Sequence, residues 1–330
     1  MAAPKYKRHV PTDGSQRRLI TYVAVSLFVL VDLALIGWAL NSTRGAPAAP
    51  QAEDLPVATT PQLAPTETPT PEPTAAAPTF TLAEAVAPTR IITALSATTA
   101  WRAQTGPCPV TAAEPEYTLD GGVTWTTTDA TGPTGVTAIQ SITVEADGIA
   151  SMVALDGTDC APQFVKTFVA GDNYRAYDDQ LENNWYVNPD EPLTVVGPTG
   201  AADSPCGQVV SLAPTSQTAA AVLCSDQTVF MTDSGGADWI GPVSAPSTVG
   251  ISASVAGYRL ASVGHVDCAG IRLGMLLRGQ SAVDVTGCLQ SETITADSAA
   301  GTAVSEADGA VWVWTQDQVS RTMDGGATWE

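Results

Sequence analysis

The sequence predicts an all-β fold: a β-propeller of five four-stranded blades, with six as the alternative count, preceded by one transmembrane helix and a Pro/Thr-rich linker. Three observations carry this. Thr118-Leu119-Asp120-Gly121-Gly122-Val123-Thr124-Trp125 and Thr322-Met323-Asp324-Gly325-Gly326-Ala327-Thr328-Trp329 share the pattern Ser/Thr-x-Asp-x-Gly-x-Thr-Trp, so the chain contains a repeat. The region from Arg90 onward consists of short alternating apolar runs broken by Gly, Pro and Asp, with no long helical period. Tryptophans that follow a turn recur at Trp125, Trp185, Trp239 and Trp329, with gaps of 60, 54 and 90. The last gap is two units of 45, and units of about 40–60 residues match four-stranded blades.

The segments before the repeats differ in character. Residues 1–18 hold Lys5, Lys7, Arg8, Arg17 and Arg18 against Asp13, as in a cytoplasmic tail. Residues 19–40 are apolar apart from Asp32, a length that suits a bilayer-spanning helix. Positive charge stays inside, so the remainder is expected outside the plasma membrane. An intramembrane carboxylate is costly, which makes Asp32 a candidate contact with a partner transmembrane helix. Residues 41–88 carry ten prolines among Thr, Ala and Glu and read as an extended, unfolded spacer. Within it, 79–86 is a candidate strand to close the ring.

Residues 89–330 form the expected propeller. Blade one is read as Ile91–Thr98, Ala100–Ala103, Glu116–Leu119 and Trp125–Thr128, and blade two as Ser141–Ala146, Ser151–Leu155, Tyr174–Tyr177 and Trp185–Val187. Blade three is Val209–Ala213, Ala219–Cys224, Val229–Thr232 and Trp239–Ile240. Blade four runs from Ile251 to Leu289, and blade five has Val304–Glu306, Val311–Trp314 and Val319–Thr322. In the complete motifs, Asp120 and Asp324 cap the turn amides, Gly122 and Gly326 permit positive φ, and Trp125 and Trp329 wedge between sheets. Asp233, Gly236 and Trp239 form a degenerate version, either one step out of register or with Ser234 in the Asp slot. Trp185 ends a more decayed one. All are read as scaffold.

Charge and cysteine narrow the setting. From Asn41 onward there are nine basic and 32 acidic residues, a net of −23. Such a surface repels phosphates, so nucleic acid is excluded as a partner. The six cysteines Cys108, Cys160, Cys206, Cys224, Cys268 and Cys288 all lie in the repeat region, and an even count outside the cell reads as disulfides. Spacing favours Cys206–Cys224 and Cys268–Cys288, which leaves Cys108–Cys160. No nucleophile elbow, P-loop, dinucleotide fingerprint or metal motif is present, so no catalytic residue, cofactor or metal is assigned.

At the two complete motifs and the run Ala310-Val311-Trp312-Val313-Trp314, the chain resembles the Asp-box (BNR) repeat proteins. These include sialidases, sortilin-type receptor propellers and the photosystem II assembly-factor family, the last being most similar. The resemblance implies the propeller fold and leaves the chemistry open, since the group holds enzymes, receptors and assembly factors. A sialidase uses three arginines on an anionic sugar, one in an Arg-Ile-Pro context; here Arg90 is followed by Ile91-Ile92. The expectation is therefore a membrane-tethered, non-catalytic module that binds a protein or glycan outside the cell or helps assemble a membrane complex. The alternative is a glycoside hydrolase acting on extracellular glycans.

Overall fold

The computed structural model describes residues 80–291, 294–295 and 298–330. The chain divides into two units, Met1–Thr70 and Pro71–Glu330, and all described residues belong to the second. The basic tail, the apolar segment 19–40 with Asp32, and the linker through residue 79 lie outside the described residues. Among the described residues no helix is long and apolar enough to cross a membrane.

Six antiparallel sheets follow one another along the chain. Blade 1 is β1 (Arg90–Ala94), β2 (Ala100–Gln104), β3 (Glu116–Thr118) and β4 (Thr126–Thr127). Blade 2 is β5 (Val136–Ala146), β6 (Ile149–Asp156), β7 (Pro162–Thr167) and β8 (Arg175–Ala176). Blade 3 has β9 (Tyr186–Val187), β10 (Thr194–Gly197) and β11 (Gly200–Asp203). Blade 4 has β12 (Val209–Pro214), β13 (Ala220–Cys224), β14 (Thr228–Thr232) and β15 (Ile240–Ser244). Blade 5 has β16 (Thr248–Ala253), β17 (Gly257–His265), β18 (Cys268–Leu277) and β19 (Asp284–Gln290), and blade 6 has β20 (Thr302–Ala307), β21 (Ala310–Thr315) and β22 (Gln318–Thr322). First strands pack on first strands: β1 on β20 and β5, β20 on β16, and β16 on β12. The fold is a six-bladed β-propeller.

The alternative count of six holds and five is corrected, because two blades, not one, lie between the blade of Trp125 and that of Trp239. The third strand of blade 2 is β7, and Tyr174–Tyr177 belongs to the turn and outer strand instead. Trp185 opens blade 3. Its indole N–H donates to the Ser216 carbonyl at 2.9 Å, as the Trp312 indole on β21 donates to Ser96 at 3.0 Å. Ser216 and Ser96 occupy the same turn, between the first and second strands of the following blade. Trp185 therefore marks a second strand, and β9, β10 and β11 are the second, third and fourth strands of their blade. No inner strand of blade 3 is present among the described residues. Instead the Gln140 amide from β5 reaches β9, donating to the Val187 carbonyl at 3.0 Å. A blade reduced in this way lacks the spacing signal by which it could be counted.

In a four-stranded meander, the first-to-second and third-to-fourth connections emerge on one face and all others on the opposite face. We call these the turn face and the entry face. Residues 80–88 contain no strand, and the expectation that 79–86 closes the ring as a strand is replaced by a different arrangement. The segment crosses the entry face. Gln227 donates to the Leu82 carbonyl at 2.5 Å, and the Ala85 and Thr89 amides donate to Ser225 and Ala300, each at 2.8 Å. Leu82 and Ala85 are buried in the clusters around blade 5. The outer partner of β22 is Glu330, which exchanges backbone bonds of 2.8 and 3.0 Å with Arg321.

Candidate functional site

The turn face is built from the third-to-fourth-strand connections, and four of these share one construction. A buried threonine ends the third strand: Thr118, Thr167, Thr232 and Thr322. In each, its hydroxyl oxygen accepts the amide of the glycine four residues on, Gly122, Gly171, Gly236 or Gly326, at 3.0 Å. These glycines have φ of 89°, 86°, 91° and 106°, the region where a Cβ is strained. Seven residues after the threonine stands an aromatic ring: Trp125, Tyr174, Trp239 or Trp329. The next residue begins the outer strand.

The aspartates complete only two of the four turns. Asp120 accepts the Thr124 amide at 2.9 Å and its hydroxyl at 2.6 Å. Asp324 accepts the Thr328 amide at 2.9 Å and its hydroxyl at 2.7 Å. In blade 4 the slot is filled by Ser234, whose hydroxyl accepts the Asp238 amide at 2.9 Å; Asp233 occupies the exposed preceding position. In blade 2 the slot holds Val169, so Thr167, Gly171 and Tyr174 keep the turn without an acid. The sequence reading missed this turn because it relied on Asp and Trp. The signal that finds it is Thr, Gly at plus four and an aromatic at plus seven.

Hydrogen bonds from the Thr124 side chain and backbone pull the Asp120 carboxyl down to about 2. The Thr328 backbone and side chain hold Asp324 well below the usual carboxylate range. A carboxyl depressed by folding stabilises the folded state above its unfolded pKa of about 3.9, and the contribution vanishes as pH falls through the folded value. Thermal melts from pH 5 to pH 2 are expected to show a declining midpoint. The Asp120→Asn, Asp324→Asn pair is expected to flatten part of that decline. An unchanged slope would reject the turn carboxylates as its source.

The aromatic of each turn packs toward the preceding blade. The Trp239 indole donates to the Asp203 carbonyl of β11 at 3.2 Å. Trp329 donates to Cys288 of β19 at 2.9 Å, and the Tyr174 hydroxyl lies 2.7 Å from that of Thr128. Trp125 faces blade 6, where Arg102 stacks between it and Trp314 at 4.0 and 4.7 Å. Disulfides join Cys108 to Cys160, Cys206 to Cys224 and Cys268 to Cys288. The rings lie between adjacent blades, and other side chains project from the turn face.

The residue after each threonine projects outward. It is Leu119, Phe168 and Met323 in blades 1, 2 and 6, with exposures of 51%, 55% and 54%. These blades are neighbours, and Val123 and Val169 of the same turns are also exposed. Several cations of the domain are paired. Arg102 pairs with Glu116, Lys166 with Glu145, Arg259 with Glu306, Arg272 with Asp267 and Arg321 with Glu330. Arg90 donates to the carbonyls of Gly301 and Gln316. Arg90, Arg102 and Arg321 gather at the seam between blades 6 and 1, where each lies over a tryptophan ring; Arg175 stands on β8 of blade 2.

No protein-family model matches the sequence, and no curated protein matches it. Among solved structures, YCF48 bound to a D1 peptide is similar over 77% of this chain and 84% of that one, at 14% identity and a TM-score of 0.29. The WD40 β-propeller domain of Doa1 is similar over 76% and 99%, at 10% identity and a TM-score of 0.41. A GH74 xyloglucanase from Xanthomonas campestris is similar over 73% of this chain and 37% of that one, at 12% identity and a TM-score of 0.29. The assignment as a propeller rests on the strand order and packing above rather than on these likenesses.

Proposed function

We propose that the protein is a membrane-tethered, non-catalytic Asp-box propeller held outside the plasma membrane, where its turn face docks a protein partner as a binding or membrane-complex assembly module. The observation that carries this reading is the arc of apolar tips on three adjacent blades. A monomeric surface shows scattered apolar residues without consequence, whereas a row at equivalent positions is the makings of an interface. The described residues begin on the entry face, opposite the arc. The acidic surface supports a partner bearing Lys and Arg around an apolar strip and disfavours nucleic acid. Arg90, Arg102, Arg259 and Arg321, held in ion pairs or against tryptophan rings, argue against the sialidase-like alternative.

Photo-crosslinking on the full-length chain tests this. A crosslinker at Leu119, Phe168 or Met323 is expected to yield one defined protein adduct, whereas one at Val110 or Val266 on the entry face is expected to yield none. Equal adducts from both faces, or lipid adducts alone, would overturn the reading. Changing all three tips to Ser is expected to remove the adduct seen from Val123 while leaving the melting midpoint nearly unchanged, since exposed substitutions usually shift stability by about 0.5 kcal/mol or less.

A further inference from the structure

Blade 5 has the turn length of its neighbours without their wedge. Asp284 pairs with Met275 across β18 and β19, just as Glu330 pairs with Arg321 beside the turn of blade 6. The turn of blade 5 is therefore Leu276 to Val283, and Val283 stands where the other turns place Trp or Tyr. A valine cannot fill the volume of an indole, and interiors tolerate few such gaps. The consequence is a groove of about 310 Å³ between blades 4 and 5.

The lining has a defined chemistry. Leu260, Val283 and Val285 supply an apolar side, and Arg272 supplies the cation. Hydroxyls come from Ser244, Thr248, Ser262 and Ser281. Ser262 makes only a long bond of 3.4 Å, to the Arg272 carbonyl. The hydroxyls of Ser244, Thr248 and Ser281 line the same groove. A hydroxyl that lines a groove without a protein partner can both donate to and accept from a ligand there. Arg272 already has an acid, Asp267, at 3.7 Å, and the domain is strongly acidic. An anion thus gains little from this arginine and meets the repulsion of the whole surface.

We infer that the groove between blades 4 and 5 binds a neutral sugar ring. The ring would set one C–H face on Leu260, Val283 and Val285, with its hydroxyls bonded to Arg272 and the Ser/Thr row. A hexose matches each part: donors and acceptors on every hydroxyl, no charge, and an apolar face. The volume lies at the lower end of the range for small-molecule sites, as suits a single ring.

Calorimetry on the full-length chain, with the methyl glycosides of glucose, galactose and mannose as probes, tests this. At least one is expected to bind saturably with a Kd of about 1 mM or tighter. Glucuronate is expected to bind at least about tenfold more weakly, because of the repulsion already described. Arg272→Gln is expected to weaken the hexoside about tenfold by removing charge-assisted donors. Val283→Trp restores the missing wedge and is expected to abolish binding. If it fails to fold, Arg272→Gln alone decides the outcome. The unblocked sugars form a second arm: equal affinity points to a glycan terminus, and a loss in the methyl glycoside series alone points to free sugar. No saturable binding of any hexose, tighter binding of glucuronate, or affinity unchanged by Arg272→Gln would each overturn the inference.

Discussion

Replacing Trp312 by Ala is expected to cost about 3–5 kcal/mol, the usual range for emptying a buried aromatic site. This residue sits where the last blade meets the first. Its side chain is fully buried, its indole donates to the Ser96 carbonyl of blade 1, and Arg321 lies over its ring at 5.6 Å. Arg321 in turn reaches the Ala97 carbonyl of blade 1. Trp314, one turn of the pleat away, receives Arg90 and Arg102 on its ring, both at 4.7 Å. The seam is therefore held by alternating rings and guanidinium groups from both blades. Among the described residues no strand is shared across it. Trp312→Phe keeps most of the buried area and loses the N–H bond, so its expected cost is smaller, about 1 kcal/mol beyond the packing change. Denaturant unfolding followed by circular dichroism measures both. Equal losses in the two variants would assign the effect to the hydrogen bond, and no loss in either would remove the seam as the point of ring closure.

The propeller class was legible because its signals are local. Alternating runs, Gly-rich turns and a pattern repeated at Thr118–Trp125 and Thr322–Trp329 each reflect the geometry of one hairpin. The blade count was not, for two physical reasons. Turn identity rests on Thr, Gly and an aromatic, and Val169 or Ser234 in the acid slot leaves these bonds intact. The pattern that attracts the eye is thus stricter than the structure requires. Blade 3 also has no inner strand among the described residues, which only tertiary packing reveals: Trp185 reads as the end of one blade and acts as the start of the next. The Arg–Trp seam and the groove at Val283 were beyond reach for a similar reason. Both arise between blades, from residues far apart in the chain. In the turn of blade 5 the informative fact is the small size of one residue, which has meaning only once the slot it occupies is known.

The Cys108–Cys160 disulfide is expected to contribute most among the three. It closes a separation of 52 residues, against 18 and 20 for the others, and in the chain-entropy relation such a loop is worth about 4 kcal/mol where the shorter ones give about 3. Its position adds to this. Cys108 lies in the long connection between β2 and β3, which reaches over to blade 2. The Thr105 hydroxyl donates to the Ile139 carbonyl at 2.5 Å, the Ala138 amide donates to Thr111 at 2.8 Å, and Ala112 bridges to Thr137. These contacts fall on the irregular stretch of β5 between Thr137 and Ser141, beside blade 3, which has no inner strand among the described residues. The staple thus holds a borrowed loop against the least supported part of the ring. Cys108→Ser with Cys160→Ser is expected to lower the melting midpoint more than the same change at Cys206 and Cys224, and to increase amide exchange along β5 before the rest of the domain. If the two pairs lower the midpoint equally and β5 exchanges no faster, the loop is an ornament of blade 1 and the weak point of the ring lies elsewhere.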